Sequence, residues 1–149
     1  MLLGAADAGA SPATSCKTAG GCEIMQLRFL GKDSTPTNSP TLYSSDEESY
    51  VVQGWIVRDS ALLARLDLDK ADDVVEIPPA LMVHLQNDGL TGEVGSIVSP
   101  IVHVNEKGNF IIRGKRVGDP ATLAQMDIPD YESCVEVPKV EIAALLVGR

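Results

Sequence analysis

Apolar and polar residues alternate along several short stretches of this chain, and each stretch stops at a turn signal. In MQLRFL, Met25–Leu30, Leu27 and Phe29 alternate with Gln26 and Arg28, which predicts a strand. Gly31–Pro40 (GKDSTPTNSP) follows as a polar loop of Gly, Pro, Asn, Ser and Thr. Thr41–Ser44 and Tyr50–Val57 read as strands joined by the acidic turn Ser45–Ser49. On the second of these strands, Tyr50, Val52 and Ile56 share one face and Val51, Gln53, Trp55 and Val57 the other. Asp59 then stands at the N-cap position of a short helix whose apolar stripe is Ala61, Leu63, Ala64 and Leu66. A turn over Asp67–Asp73 leads to a third strand, Val74–Ile77, which Pro78 ends, and to a closing helix over Pro79–Leu85.

The same pattern recurs sixty residues later. Ser39–Leu85 aligns with Ser99–Leu145 without a gap, and 13 of the 47 columns are identical, among them Gly54/Gly114, Asp59/Asp119, Glu76/Glu136 and Pro78/Pro138. Most other columns exchange like for like, as in Tyr50/Phe110 and Val52/Ile112, so the alignment reads as an internal duplication. In the second copy the hairpin turn is Asn105–Asn109, Pro120 follows Asp119, Cys134–Val137 is the third strand and Val140–Val147 the closing helix. Asn87–Gly95 links the two copies. The expected fold is therefore α+β: a tandem duplication of a ββαβα unit, packed as one pseudo-two-fold domain over residues 25–149, with repeat 1 at 39–85 and repeat 2 at 99–145. Tyr50 and Phe110 should face the core. The face with Gln53, Trp55, Arg113 and Lys115 should be at least half solvated. Gly54 and Gly114, in mid-strand, predict a bulge or a close backbone approach.

Residues 1–24 show no amphipathic period and are expected to be a disordered tail. Leu2–Leu3 is too short for the apolar region of a signal peptide. Met25 opens the patterned sequence, and Glu23–Ile24 before it would be encoded by purine-rich codons, as a ribosome-binding site is; the native start is expected there.

Charge narrows the function classes. The formal net charge is −9, with 12 Lys and Arg against 21 Asp and Glu. A general nucleic-acid binder needs a basic face to neutralise phosphates, so direct nucleic-acid binding is not expected; a basic protein partner is compatible with this balance. No apolar run approaches the roughly 20 residues of a membrane span. Three cysteines, Cys16, Cys22 and Cys134, without metal-ligand spacing suit a reducing cytoplasm, and Cys134, in the column of Val74, reads as a small buried hydrophobe.

The chain carries little catalytic patterning. Gly31–Thr35 (GKDST) resembles the end of a phosphate-binding loop, but the first glycine is missing and Asp33 stands where the hydroxyl belongs. Asp67, Asp69, Asp72 and Asp73 lack the glycine and the closing glutamate of a calcium loop. His84 and His103 lie in different elements. These patterns predict no catalytic residue, cofactor or metal. Gly31–Pro40 has no counterpart before repeat 2, and Trp55 stands where repeat 2 has Lys115. The candidate interaction residues are therefore Lys32, Asp33, Ser34, Thr35, Tyr43 and Trp55.

RFLGKDSTPTNSPTLYSSDEESYVVQGWIVRD, from Arg28 to Asp59, resembles a family of small, uncharacterised proteins of actinobacteria such as streptomycetes. That resemblance implies a cytoplasmic protein, often encoded near helix-turn-helix regulators. Lys70–Leu81 and Asp130–Ile142 also resemble the strand–Pro–helix unit of the swapped-hairpin family of transition-state regulators and antitoxins, whose DNA-binding faces are basic where this chain is acidic. The expected function is a non-enzymatic regulatory or protein-interaction module acting with a helix-turn-helix transcriptional regulator, with a homodimer compatible. The alternative is a small-molecule-binding protein or minor enzyme with a pocket beside the Gly31–Pro40 loop.

Overall fold

The structure is a computed structural model that describes residues 25–32 and 40–147. The chain runs through strands β1 (Leu27–Lys32), β2 (Thr41–Ser45) and β3 (Ser49–Ile56), helix α1 (Ser60–Leu66) and strand β4 (Asp72–Ile77). A 3-10 run (Pro79–Asp88), β5 (Glu93–Val94), β6 (Ile101–Val104) and β7 (Phe110–Arg116) follow. Helix α2 (Pro120–Leu123), β8 (Glu132–Pro138), α3 (Lys139–Ala143) and β9 (Leu146–Val147) complete it. The expected tail, 1–24, and residues 33–39 of the Gly31–Pro40 loop lie outside the described residues.

Strand exchange organises the sheet. β3 pairs along one edge with β8, from Ser49 opposite Pro138 to Trp55 opposite Glu132. β7 pairs in the same way with β4, from Phe110 opposite Ile77 to Lys115 opposite Asp72. On its other edge β3 pairs first with β2 and then, at Trp55 and Ile56, with Glu76 and Val75 of β4. β7 likewise pairs first with β6 and then, at Lys115 and Arg116, with Glu136 and Val135 of β8. β3, β4, β7 and β8 thus close a ring of antiparallel strands, from which β2 and β1 extend on one side and β6 on the other. Six of the seven rungs of β3 with β8 have a counterpart in β7 with β4: Tyr50–Val137 matches Phe110–Ile77, and Gln53–Cys134 matches Arg113–Val74.

This architecture overturns the α+β tandem of ββαβα units. Among the described residues the fold is mostly β-sheet, dominated by a seven-stranded antiparallel sheet, and its α-helices hold only seven, four and five residues. The third strand of each sequence stretch keeps only two rungs with its own hairpin and pairs along its length with the other one, so neither stretch is a unit by itself. The apolar pattern gives each strand a face but not a partner, and that is where the expectation failed. The closing helices are also different. Pro79–Asp88 winds as a 3-10 run against β1, β2 and β5, buries Leu81, Met82 and Leu85, and ends at Gly89 with φ 85°. The last segment is helical only to Ala143 and then pairs as a strand, Leu146 opposite Val94, which also places a strand inside the expected linker.

The principal core is the inside of the ring: Tyr50, Val52, Val75, Ile77, Phe110, Ile112, Val135 and Val137, closed at its ends by Leu81, Leu85, Ile142 and Leu145. The expected core face of β3 and β7 is the face observed. Asp59 and Asp119 cap α1 and α2 through their side chains, accepting from the Leu62 and Thr122 amides. Two corrections concern the outer face. A register shift between Phe29 and Gly31 turns Leu30 inward and leaves Phe29 59% exposed, so the Leu27/Phe29 alternation does not persist. Gln53, expected on a half-solvated face, is buried, because that face carries a satellite cluster of Tyr43, Val51 and Cys134 covered by Leu27, Val117, Leu123, Met126 and Ile128.

Candidate functional site

Gln53 and Glu132 are polar residues enclosed beside that satellite cluster. Gln53 lies on β3 between Val51 and Trp55, and Glu132 opens β8 directly opposite Trp55. Both are almost fully enclosed, with relative exposures of 1% and 4%. The Gln53 amide Nε2 donates to Glu132 Oε1 at 2.6 Å and to the Asp127 carbonyl at 2.8 Å. The remaining oxygens, Gln53 Oε1 and Glu132 Oε2, are buried and have no hydrogen-bond partner among the described residues. A buried acceptor without a donor costs about 1–3 kcal/mol, and more when it is charged. Two of them in contacting side chains are a marked departure from ordinary core chemistry.

Glu132 stands in the wall of a cavity of about 370 Å³ lined also by Val117, Leu123, Met126, Ile128, Ser133 and Cys134. Val117, Leu123, Met126 and Ile128 are only half-buried, so the cavity meets solvent on their side. Burial pushes the Cys134 thiol up to about 12, with the charge of Asp73 adding to it. Burial also raises the Tyr43 phenol, reinforced by Asp127, Cys134 and Glu132 and opposed by a backbone hydrogen bond with Asp127.

The rung related by the strand exchange shows what the pair lacks. Arg113 occupies the position of Gln53, and Asp72 that of Glu132. Arg113 donates to Asp72 Oδ2 from Nε at 3.2 Å and from Nη2 at 2.8 Å, and to the Leu66 carbonyl from Nη1 at 3.4 Å. In one copy a guanidinium neutralises the carboxylate; in the other a neutral amide meets it with one N–H group and leaves its second oxygen bare.

The residues singled out by sequence distribute unevenly around this pair. Tyr43 is buried in the adjoining cluster, its ring edge-on to Phe29 at 6.1 Å. Trp55 is half-buried and pairs with Glu132 on one side and Glu76 on the other. Lys32 is exposed and lies two strands out on the same rung as Gln53, through Thr41. Asp33, Ser34 and Thr35 lie outside the described residues, and the cavity is lined from 117–134 rather than by Gly31, Lys32 or Pro40.

Sequence reasoning missed Gln53 and Glu132. The columns Gln53/Arg113 and Asp72/Glu132 carry the signal, an amide in one copy and a cation in the other, each matched to an acid. It becomes readable only when β3 is known to pair with β8. The shared Glu76 and Glu136 hold hairpin turns instead: Glu76 Oε2 accepts from Asn105 and Asn109 at 2.8 and 2.7 Å, and Glu136 Oε2 from Ser49 at 2.6 Å. His84 lies in the 3-10 run and His103 on β6, and no group of three or more His, Cys, Asp or Glu among the described residues is placed to hold a metal ion. No helix among them is long and apolar enough to cross a membrane.

No family model matches the chain, and no curated protein or solved structure shows significant similarity to it.

Proposed function

We propose that the chain is a binding module whose ligand enters the cavity beside Glu132. The observation that carries this reading is the buried, unpaired carboxylate oxygen of Glu132, which lines a cavity with largely aliphatic walls and hydrogen-bonds Gln53, whose own amide oxygen is also unpaired. Small-molecule sites combine such walls with a few convergent polar groups, and a ligand that supplies the missing donors removes a desolvation cost that the free protein bears. A thermal-shift screen of metabolites against the full chain tests it. A true ligand at a hundredfold excess over its Kd adds about 2.7 kcal/mol, which raises Tm by roughly 5–10 °C for a domain of this size. A screen in which no compound gives a saturable rise would overturn the reading.

A second reading, association with a helix-turn-helix regulator, is favoured by a separate observation. β1 is an edge strand, it carries the 59% exposed Phe29, and the chain as a whole has a net charge of −9. An edge strand with an exposed aromatic offers both backbone pairing and an anchor. Co-purification of tagged protein from its host should recover one specific partner, and Phe29→Asp should lose it. Recovery of none, or equal recovery by the variant, removes this reading.

A further inference from the structure

Resting on the cavity reading, we infer that the ligand is an organic cation, an alkyl chain ending in a guanidinium group, whose head meets the Glu132 carboxylate. Three observations converge on this chemistry. The unpaired atom on the cavity wall, Glu132 Oε2, is an acceptor, so the complementary group must donate. It belongs to a carboxylate, so the donor that best offsets its burial carries positive charge. And the fold fills the equivalent position in the other copy with a guanidinium of its own: Arg113 reaches Asp72 with two nitrogens and the Leu66 carbonyl with the third.

A metal ion does not fit this place. Hard cations such as calcium take six to eight oxygen ligands, whereas the wall offers one unpaired carboxylate oxygen and is otherwise aliphatic, thioether, thiol and hydroxyl. Those walls suit methylenes. A guanidinium on an alkyl stem lays the stem along Val117, Leu123 and Met126 and brings a planar fork of N–H groups to the acid. The same group could arrive as a free small molecule or as an arginine side chain of a protein, and the two share the recognition chemistry.

The test is a calorimetric and NMR titration of the full chain with n-butylguanidinium, with n-butanol as the neutral control, and with a capped Gly-Arg-Gly peptide. The expected result is saturable binding of n-butylguanidinium, with amide shifts centred on 117–134, and no saturation with n-butanol. Glu132→Gln should weaken the affinity by about ten- to a hundredfold, the range for a lost hydrogen bond to a charged group. Gln53→Arg should supply the cation internally, raise Tm and abolish the titration. If Gln53→Arg fails to fold, Glu132→Gln still decides. Tighter binding of the peptide than of n-butylguanidinium identifies an arginine side chain as the source; the reverse identifies a free ligand. If n-butanol or another neutral compound saturates the cavity, and does so equally in Glu132→Gln, the cavity reading stands and the cationic class is overturned. If neither charged nor neutral probes shift 117–134 up to roughly 10 mM, beyond the weak end of specific binding, both readings fall.

Discussion

Gly54→Ala is expected to destabilise the protein by at least about 3 kcal/mol, and Gly114→Ala by a similar amount, because each places a methyl group against backbone. A Cβ on Gly54 would lie 2.5 Å from the Glu76 carbonyl oxygen and 2.8 Å from Ile77 Cγ2. On Gly114 it would lie 2.6 Å from the Glu136 carbonyl oxygen and 2.9 Å from Val137 Cγ2. Those carbonyls cannot move aside cheaply. Glu76 sits on the rung opposite Trp55, and Glu136 on the rung opposite Lys115, at the points where β3 and β7 change neighbours along one edge. The clash therefore falls on the seam that closes the ring. A marginal domain has about 5–15 kcal/mol to lose, so the double variant should forfeit at least about 6 kcal/mol, a large part of that margin. Urea melts followed by circular dichroism measure this; a cost below about 1 kcal/mol for either single variant would show that the seam yields.

Asp88→Asn should cost about 2–3 kcal/mol at neutral pH and flatten the acid limb of the stability profile, since Asp88 joins four parts of the fold. Its carboxylate accepts from the Tyr50 hydroxyl at 2.7 Å, pairs with Lys139 Nζ at 3.0 Å, and pairs with Arg28 on β1. The Lys139 ammonium lies 5.2 Å from the centre of the Tyr50 ring. Burial alone would raise the Asp88 carboxyl, but the hydrogen bonds from Tyr50 and Lys139 and the charges of Lys139 and Arg28 outweigh it and hold the group below its ordinary value. A carboxylate depressed in the folded state contributes stability above the unfolded value, near 3.9, and loses it as pH falls through the folded value. The wild type should therefore lose stability more steeply than Asp88→Asn below about pH 4. Tyr50 responds at the other end. Burial, then the hydrogen bond and charge of Asp88, raise its phenol, so stability present below about pH 10 is lost above it as the unfolded chain ionises first. Tm measured from pH 2.5 to 11 on wild type, Asp88→Asn and Tyr50→Phe reads both limbs. Identical acid limbs in wild type and Asp88→Asn would refute the assignment.

Local chemistry was legible in the sequence wherever one residue decides it. Asp59 and Asp119 announced helix starts, and both cap. The mid-strand glycines announced a close backbone approach, and Glu76 and Glu136 supply it without a bulge at either position. Cys134, in the column of a valine, is buried with a raised thiol. Partnership was not legible. Alternation tells a strand which face to bury and says nothing about which strand lies beside it, so β4 and β8 were left with their own hairpins. A bulge shifted β1 by one residue, which sufficed to expose Phe29 and bury Leu30. Gln53 reads as a solvated strand residue because glutamine is mostly exposed, and only the covering segment 117–128, distant in sequence, makes it an interior group. The candidate site was hidden for the same reason as the topology: Gln53 and Glu132 meet across 79 residues of chain.

The exchange of strands also bears on how the protein comes into being. Ser49 reaches Glu136 across 87 residues, so the edge of β3 that β8 covers has no partner until nearly the whole polypeptide has been synthesised. A nascent chain that has emerged only as far as β4 presents open strand edges, and such edges recruit other chains. Long-range pairing of this kind gives a high contact order, with folding on the millisecond-to-second scale rather than in microseconds. The closed ring that leaves the finished molecule few free edges makes its assembly a late, all-at-once event, and the half-made chain is the form in greatest need of a chaperone.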